Sequence, residues 1–501
     1  MRTDSMKKDE YSKDETFTYE EIIKLLNEAI GKTLGEVDKN HVFDRTKTNP
    51  KITGIAGDII EQSVLGYSAN SDNHPDILVN GQQVEVKTTG IRFSKKAGKE
   101  NVYEAKEPMS VTAVSPKQIV KEVFETSHFW AKLVHLLLVY YLYDSDEIVE
   151  AKEYANFELK GYEFHVFSKK DKQILENDWE TVRDFIIKIQ EEYPDNPESQ
   201  YPRISYELRD KLMYIDTAPK WPHPPRFRLK RSFVTIMVQE YFNHIQLENL
   251  SEQLNSFAEF DSKLHEITLK YQGKTVAELI DIFGIDAPDK DNLNKAISEQ
   301  IIVKMFGGVS SKINKIDIFA KVGIIAKTIC LSSRNGRTED TKLFPIDFAE
   351  LEDESISFED SSIYDYFMNH QVLCIIFKEK DKKQNFKDNK FIGFKRLSYD
   401  DDFINKEVRH TWEDLRNLIL NHALKETLEI NKGGSPKINP NGLPATSINF
   451  PKSIDHIVFV RGSGIDSSRK PCCIQGIRMY RQYIWVKGKY MVARLKDINL
   501  I

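Results

Sequence analysis

The chain has 501 residues, of which 40% are hydrophobic and 30% charged, enough for about two to four globular domains with real cores. The charged opening, Met1 to Glu15, lacks an apolar signal region. The four cysteines form no CxxC pair, which argues against a disulfide framework or a zinc ribbon. No apolar run is long enough to span a bilayer, so the expectation is a cytoplasmic, reduced protein. The net charge of −6 conceals two basic stretches. Lys211 to Arg231 has six Lys/Arg against one acid, and Arg461 to Lys496 has nine against one. Such local fields suit a nucleic-acid partner better than the average does.

Taken in chain order, residues 1–15 read as disordered. Residues 57–65 place Ile59, Ile60 and Ser63 at helical spacing. The next segment, Pro75-Asp76-Ile-Leu-Val-Asn80-Gly81-Gln-Gln-Val-Glu85-Val-Lys87, is the most informative. Asn-Gly between apolar runs signals a two-residue type I′ hairpin. Its register pairs 79 with 82, 78 with 83 and 77 with 84, which brings Asp76 opposite Glu85. Two facing carboxylates repel unless a cation lies between them. Lys87, two residues on, shares the face of Glu85. Two acids and a lysine on one face suit metal-assisted phosphodiester hydrolysis. The carboxylates would hold Mg²⁺, which prefers oxygen ligands, and the lysine would orient water or stabilise developing charge. The plain alternative is a charged, solvated hairpin tip.

Leu133 to Tyr143 reads as a buried strand with Lys132 at its start, and Arg226 to Phe233 alternates basic and apolar residues as a strand does. A faint internal repeat follows. Gly31-Lys-Thr-Leu-Gly-Glu36 recurs as Gly273-Lys-Thr-Val-Ala-Glu278, Trp179-Glu-Thr-Val-Arg183 as Trp412-Glu-Asp-Leu-Arg416, and Arg228-Leu-Lys230-Arg-Ser-Phe233 as Trp485-Val-Lys487-Gly-Lys-Tyr490. Between these anchors Asp317 aligns with Asp76 and Lys327 with Lys87, while Ile325 replaces Glu85 and Ile302 replaces Glu61. An alkyl side chain cannot ligate Mg²⁺, so the second copy is expected not to cut. Residues 331–362 read as a polar loop.

Four ordered blocks carry a family resemblance: Gly57-Asp-Ile-Ile-Glu61, the PD-(D/E)xK pattern Asp76…Glu85-Val-Lys87, Phe129-Trp-Ala-Lys132, and Arg226-Phe-Arg-Leu-Lys230-Arg-Ser-Phe233. Together they resemble the mismatch-repair endonuclease MutH and the larger, GATC-cutting restriction enzymes of the Sau-3AI type. The resemblance implies an α/β fold with two tandem restriction-endonuclease-like domains, each a mixed sheet flanked by helices: a catalytic domain at 16–250 and a degenerate DNA-binding effector domain at 251–501. It implies catalytic roles for Asp76, Glu85, Lys87, Glu61 and Lys132, with Mg²⁺ on Asp76, Glu85 and Glu61. It implies DNA contacts by Lys220, Arg226, Arg228, Lys230 and Arg231, while the basic C-terminal stretch adds Arg461 and Lys487. Arg228 stands where MutH has its methylation-sensing tyrosine. The expected function is a type II (IIE-like) restriction endonuclease that binds two sites on double-stranded DNA, as a monomer that dimerises on DNA, with no membrane partner. The rivals are a mismatch-repair-type nicking endonuclease and a noncatalytic DNA-binding regulator.

Overall fold

A computed structural model describes residues 11–68, 74–94, 101–145, 149–218, 225–289, 293, 295–336, 339–354, 356–381, 385–431, 433–464 and 469–496. The chain divides into two compact units: residues 1–260 with 316–323, and residues 261–315 with 324–501. Lys220 lies outside the described residues. Among the described residues no helix is long and apolar enough to cross a membrane.

In the first unit the strands are β1 (Thr16–Phe17), β2 (Ile77–Val79), β3 (Gln82–Phe93), β4 (Tyr103–Ala105), β5 (Met109–Ala113), β6 (Leu136–Leu142), β7 (Leu159–His165), β8 (Ile215–Ala218) and β9 (Arg226–Leu229). One mixed sheet runs β1-β2-β3-β6-β7, with β4 also on β3. Its centre is the parallel pair β3–β6. All seven residues of β6 are buried, as expected of a strand covered on both faces. Leu137, Val139 and Tyr141 of β6 share a core with Ile59, Ile60, Val64 and Val86, which fixes the 55–65 helix over the sheet. The second sheet, β5-β9-β8, is antiparallel. The stretch from Arg226 is a central strand only as far as Leu229; Arg231 to Phe233, expected to continue it, open the helix Arg231–Asn243 instead.

The long helix Lys169–Glu192 is tied to the start of β8 by one side chain. Buried Asp178 accepts the backbone N–H groups of Met213, Tyr214 and Ile215 at 2.8, 2.7 and 3.1 Å. Burial raises its carboxyl to about 6, against the lowering pull of these hydrogen bonds. Asp178→Ala removes an acceptor from three buried amides at about 1–3 kcal/mol each. It is expected to cost about 3 kcal/mol or more, read as a lowered urea midpoint.

Three expectations are corrected here. Residues 11–15 are ordered: buried Tyr11 donates to the Pro75 carbonyl at 2.8 Å and packs edge-on against His74, and Lys13–Glu15 form a 3₁₀ turn. The 331–362 segment is not one loop, because it holds the strand Thr341–Pro345, the helix Phe348–Glu352 and the buried side chains Leu351, Ile356 and Phe358. Asp317 does not sit on a second hairpin. It opens the short helix Asp317–Val322, which belongs to the first unit, and pairs there with Lys321 at 3.1 Å and Lys170 at 3.3 Å. The segment lacks an Asn-Gly turn, and its Asp and Lys four apart suit a helix.

The second unit contains β10 (Ile324–Leu331), β11 (Thr341–Pro345), β12 (Gln371–Lys378), β13 (Lys390–Leu397), β14 (Glu426–Leu428), β15 (Thr446–Ile448), β16 (Val458–Ser463), β17 (Cys472–Ile474), β18 (Ile477–Met479) and β19 (Arg481–Val486). β10 and β12 pair in parallel and β13 joins antiparallel, as β3, β6 and β7 do. β19 lies between β11 and β16, as β9 lies between β5 and β8. Smaller features also recur. Thr33 and Thr275 both make capping boxes, with Glu36 and Glu278. Gly31 N–H donates to the Leu159 carbonyl and Gly273 N–H to that of Phe391, each at the start of the corresponding strand. Arg183 stacks over Trp179, and Arg416 over Trp412.

Candidate active site

Asn80 and Gly81 adopt φ of 47° and 83°, the double left-handed turn that Asn-Gly favours. The ladder is 79–82, 78–83 and 77–84, as the turn predicts. Asp76 directly precedes this ladder, and its Oδ2 accepts the Val86 N–H at 2.9 Å. The carboxylate is thereby turned in toward β3 beside Glu85. In β3, Glu85 and Lys87 pair with Leu136 and Leu138 of β6, so the same parallel pair that forms the core carries the site.

Glu85 is fully buried. Lys132 Nζ bonds both of its oxygens at 2.9 Å, and Lys87 donates to Oε1. Lys132 reaches it from the end of the short helix His128–Ala131, whose neighbours Phe129 and Trp130 are buried. Burial pulls the Lys87 ammonium down, but Glu85, Asp76 and Glu61 outweigh it and leave Lys87 raised. Lys87 therefore stays a cation in this carboxylate cluster, suited to stabilising negative charge and not to acting as a base.

Glu61 arrives from above the sheet. The helix Ile55–Ile59 continues as a π-turn, Ile60–Leu65, which ends at Gly66 with φ of 87°. π-turns inside helices concentrate at functional sites, and this one carries Glu61. Burial, then the Asp76 charge, raises Glu61 to about 7. Asp76 is raised by burial, then by Glu85. Mutual repulsion among buried acids is what a divalent cation would relieve. Tyr67, just past the π-turn, is a residue that sequence reasoning missed. Its hydroxyl is buried without a hydrogen-bond partner among the described residues, and burial, then Glu61 and Asp76, raises its pKa. An orphaned hydroxyl next to acids leaves a polar position for water or a bound group. Glu61, Asp76, Glu85 and the Tyr67 hydroxyl thus form an oxygen-rich set that fits Mg²⁺.

The proposed DNA residues divide. Arg226 is exposed on β9. Arg228 forms a bidentate pair with Asp216 on β8, at 2.8 and 3.1 Å. Lys230 is buried and donates to the Leu212 carbonyl. Arg231 bonds the Ala105 carbonyl at 2.8 Å and Glu104 at 2.9 Å. Lys230 and Arg231 therefore tie the first unit together, with their charged ends engaged inside it. In the second unit Arg461 pairs with Asp340 at 2.9 Å while stacking over Phe459 and Trp485, and Lys487 follows β19 half-buried. Ile302 is buried in the helix Ile297–Met305. Ile325 and Lys327 lie on β10, paired with Val372 and Cys374 of its parallel neighbour β12, much as Glu85 and Lys87 of β3 pair with Leu136 and Leu138 of β6. Burial, then Lys342, lowers the Lys327 ammonium to about 8, and it donates to the Lys342 carbonyl at 2.7 Å.

The central parallel pair of the mixed sheet thus presents acids and a lysine, with a helical glutamate beside them. The family profile described as "DNA mismatch repair enzyme MutH" matches residues 65–178, a stretch that holds Asp76, Glu85, Lys87 and Lys132. Over nearly its whole length the chain is similar to the type II restriction enzyme Sau3AI of Staphylococcus aureus, at 24% identity over 94% of this chain and 97% of that protein. The chain is thus similar to MutH over the stretch that holds the site and to a type II restriction enzyme over nearly its whole length.

Proposed function

We propose that the chain is a Mg²⁺-dependent type II restriction endonuclease that hydrolyses double-stranded DNA at a short palindrome, GATC. The carrying observation is Glu85: a fully buried carboxylate clasped by Lys87 and Lys132 and set beside Asp76 and Glu61. Such a charge cluster is costly to bury and contributes little to stability on its own account, so it points to function. Asp76, Glu85 and Glu61 would hold the ion. When bound, it would stabilise charge on the scissile phosphate and favour an ionised water. Lys87, kept cationic, would stabilise that phosphate charge, and Lys132 would hold Glu85 in place. The GATC reading rests on the similarity to Sau3AI.

The second unit is proposed as a degenerate copy that binds a second site. Support comes from the repeated strand order, the alkyl side chains Ile302 and Ile325, and the basic stretch around Arg461 and Lys487. With one cutting centre per chain, a double-strand break would need two chains meeting on DNA. The test is digestion of plasmids carrying one or several GATC sites. Slow cutting of the single-site plasmid, rescued by added GATC duplex, is expected. Equal rates on both would remove the second-site role, and accumulation of nicked circles alone would favour the mismatch-repair-type nicking reading.

A further inference from the structure

We infer that the second unit holds a zinc site built from His410, Asp414 and His456. His410 and Asp414 lie one turn apart on the helix Arg409–Leu420, so both project from one face. His456 comes from the segment leading into β16. Asp414 Oδ2 lies 3.3 Å from His410 Nε2 and 3.3 Å from His456 Nε2. All three ligand atoms fall within 4.8 Å of one another. A tetrahedral zinc with bonds of roughly 2.0–2.1 Å sets its ligand atoms about 3.3 Å apart. Two edges already have that length, and a small turn of the exposed His410 ring brings in the third.

The hydrogen bonding around His456 decides which nitrogen faces Asp414. The Thr411 hydroxyl has one proton and two carbonyls to give it to, Val458 at 2.6 Å and Glu407 at 3.1 Å. Its oxygen, 3.4 Å from His456 Nδ1, can then only accept, so Nδ1 carries hydrogen. In the neutral ring the lone pair sits on Nε2 and faces the Asp414 carboxylate. Two facing lone pairs repel unless a proton or a metal ion lies between them, and this pair, with His410 beside it, offers an ion three ligand atoms. A hydrogen-bond acceptor at the other ring nitrogen is what orients a ligating histidine at metal sites, and Thr411 takes that place here. Two imidazoles and one carboxylate suit zinc or another first-row ion and not Mg²⁺, which prefers oxygen alone. The cluster opens on a surface groove lined by Asn417, Asn421, Asn449, Lys452 and Asp455, which gives the ion a way in and leaves its fourth position to water. Bound zinc would pin the helix Arg409–Leu420 to the start of β16, the strand that carries Arg461.

The test is metal content of the full chain. The protein is stripped with EDTA, given ZnCl₂ in excess MgCl₂, desalted and measured by elemental analysis. A parallel titration with Co²⁺ reads the visible bands of a tetrahedral ion. The expected result is one zinc per chain, kept in Glu85→Ala, which excludes the carboxylate centre as its source. Affinity should fall on the order of 10- to 100-fold in Thr411→Val, and more in His410→Ala and Asp414→Asn. His410 is exposed, so its loss should leave folding intact. No zinc in the wild-type chain, or undiminished zinc in both His410→Ala and Asp414→Asn, would overturn the site.

Discussion

Glu85→Ala is expected to lower the single-turnover rate of DNA cleavage on the order of 10³-fold, with DNA binding retained. The effect is large because Glu85 is at once a proposed ion ligand and the shared partner of Lys87 and Lys132. Its removal leaves two partly buried ammonium groups without their carboxylate. Breaking a buried ion pair costs about 3–5 kcal/mol, so a fall in stability should accompany the loss of activity. Glu85→Gln separates the two effects. The amide fills the same volume and its oxygen still accepts from the lysines, though its NH2 cannot, so part of the stability should return while cleavage stays lost. Recovery of cleavage along with stability in Glu85→Gln would mean that Glu85 is structural only.

The second large effect is a pH dependence of stability that Mg²⁺ suppresses. The Glu61 carboxyl is raised from 4.5 to about 7, chiefly by burial and next by Asp76. A raised folded-state value means that the folded chain binds the proton more tightly than the unfolded chain does. Its contribution is therefore complete below 4.5 and is lost as pH rises to about 7. The shift corresponds to about 3 kcal/mol at most, less after allowance for partial exposure. Asp76, also raised, adds in the same direction. In EDTA, Tm should fall between pH 4.5 and 7 more steeply for the wild type than for Glu61→Gln. Asp178, raised to about 6, contributes equally to both and cancels in the comparison. Mg²⁺ should flatten the wild-type curve, because the ion replaces the proton as the neutralising charge. A wild-type slope equal to that of Glu61→Gln would remove Glu61 from the acid cluster.

The hairpin was fully legible in the sequence because Asn80-Gly81 permits one turn, and that turn permits one register. β6 was legible from its unbroken apolar run. The helix carrying Glu61 was legible from its spacing, but its π-turn was not, since one extra residue per turn leaves no mark in so short a pattern. Lys132 joined the site through resemblance alone, because its contact with Glu85 spans 47 positions. Lys230 and Arg231 entered the DNA set through resemblance, and their internal bonds were not legible, because a basic residue inside a unit looks the same in sequence as one on its surface. Asp317 was misplaced by aligning a repeat across a helix that belongs to the other unit. His410, Asp414 and His456 were invisible, because the fold alone brings the third ligand to the other two.

The acid pair at the hairpin is the centre of the proposed chemistry. The most direct measurement is single-turnover cleavage of a GATC duplex by wild type and Asp76→Asn, with Mg²⁺ and with EDTA, beside binding of the same duplex in EDTA. The prediction is that the wild type cuts only with Mg²⁺, and that Asp76→Asn binds the duplex but leaves it whole. Cutting by the wild type in EDTA, or by Asp76→Asn at the wild-type rate, would contradict it.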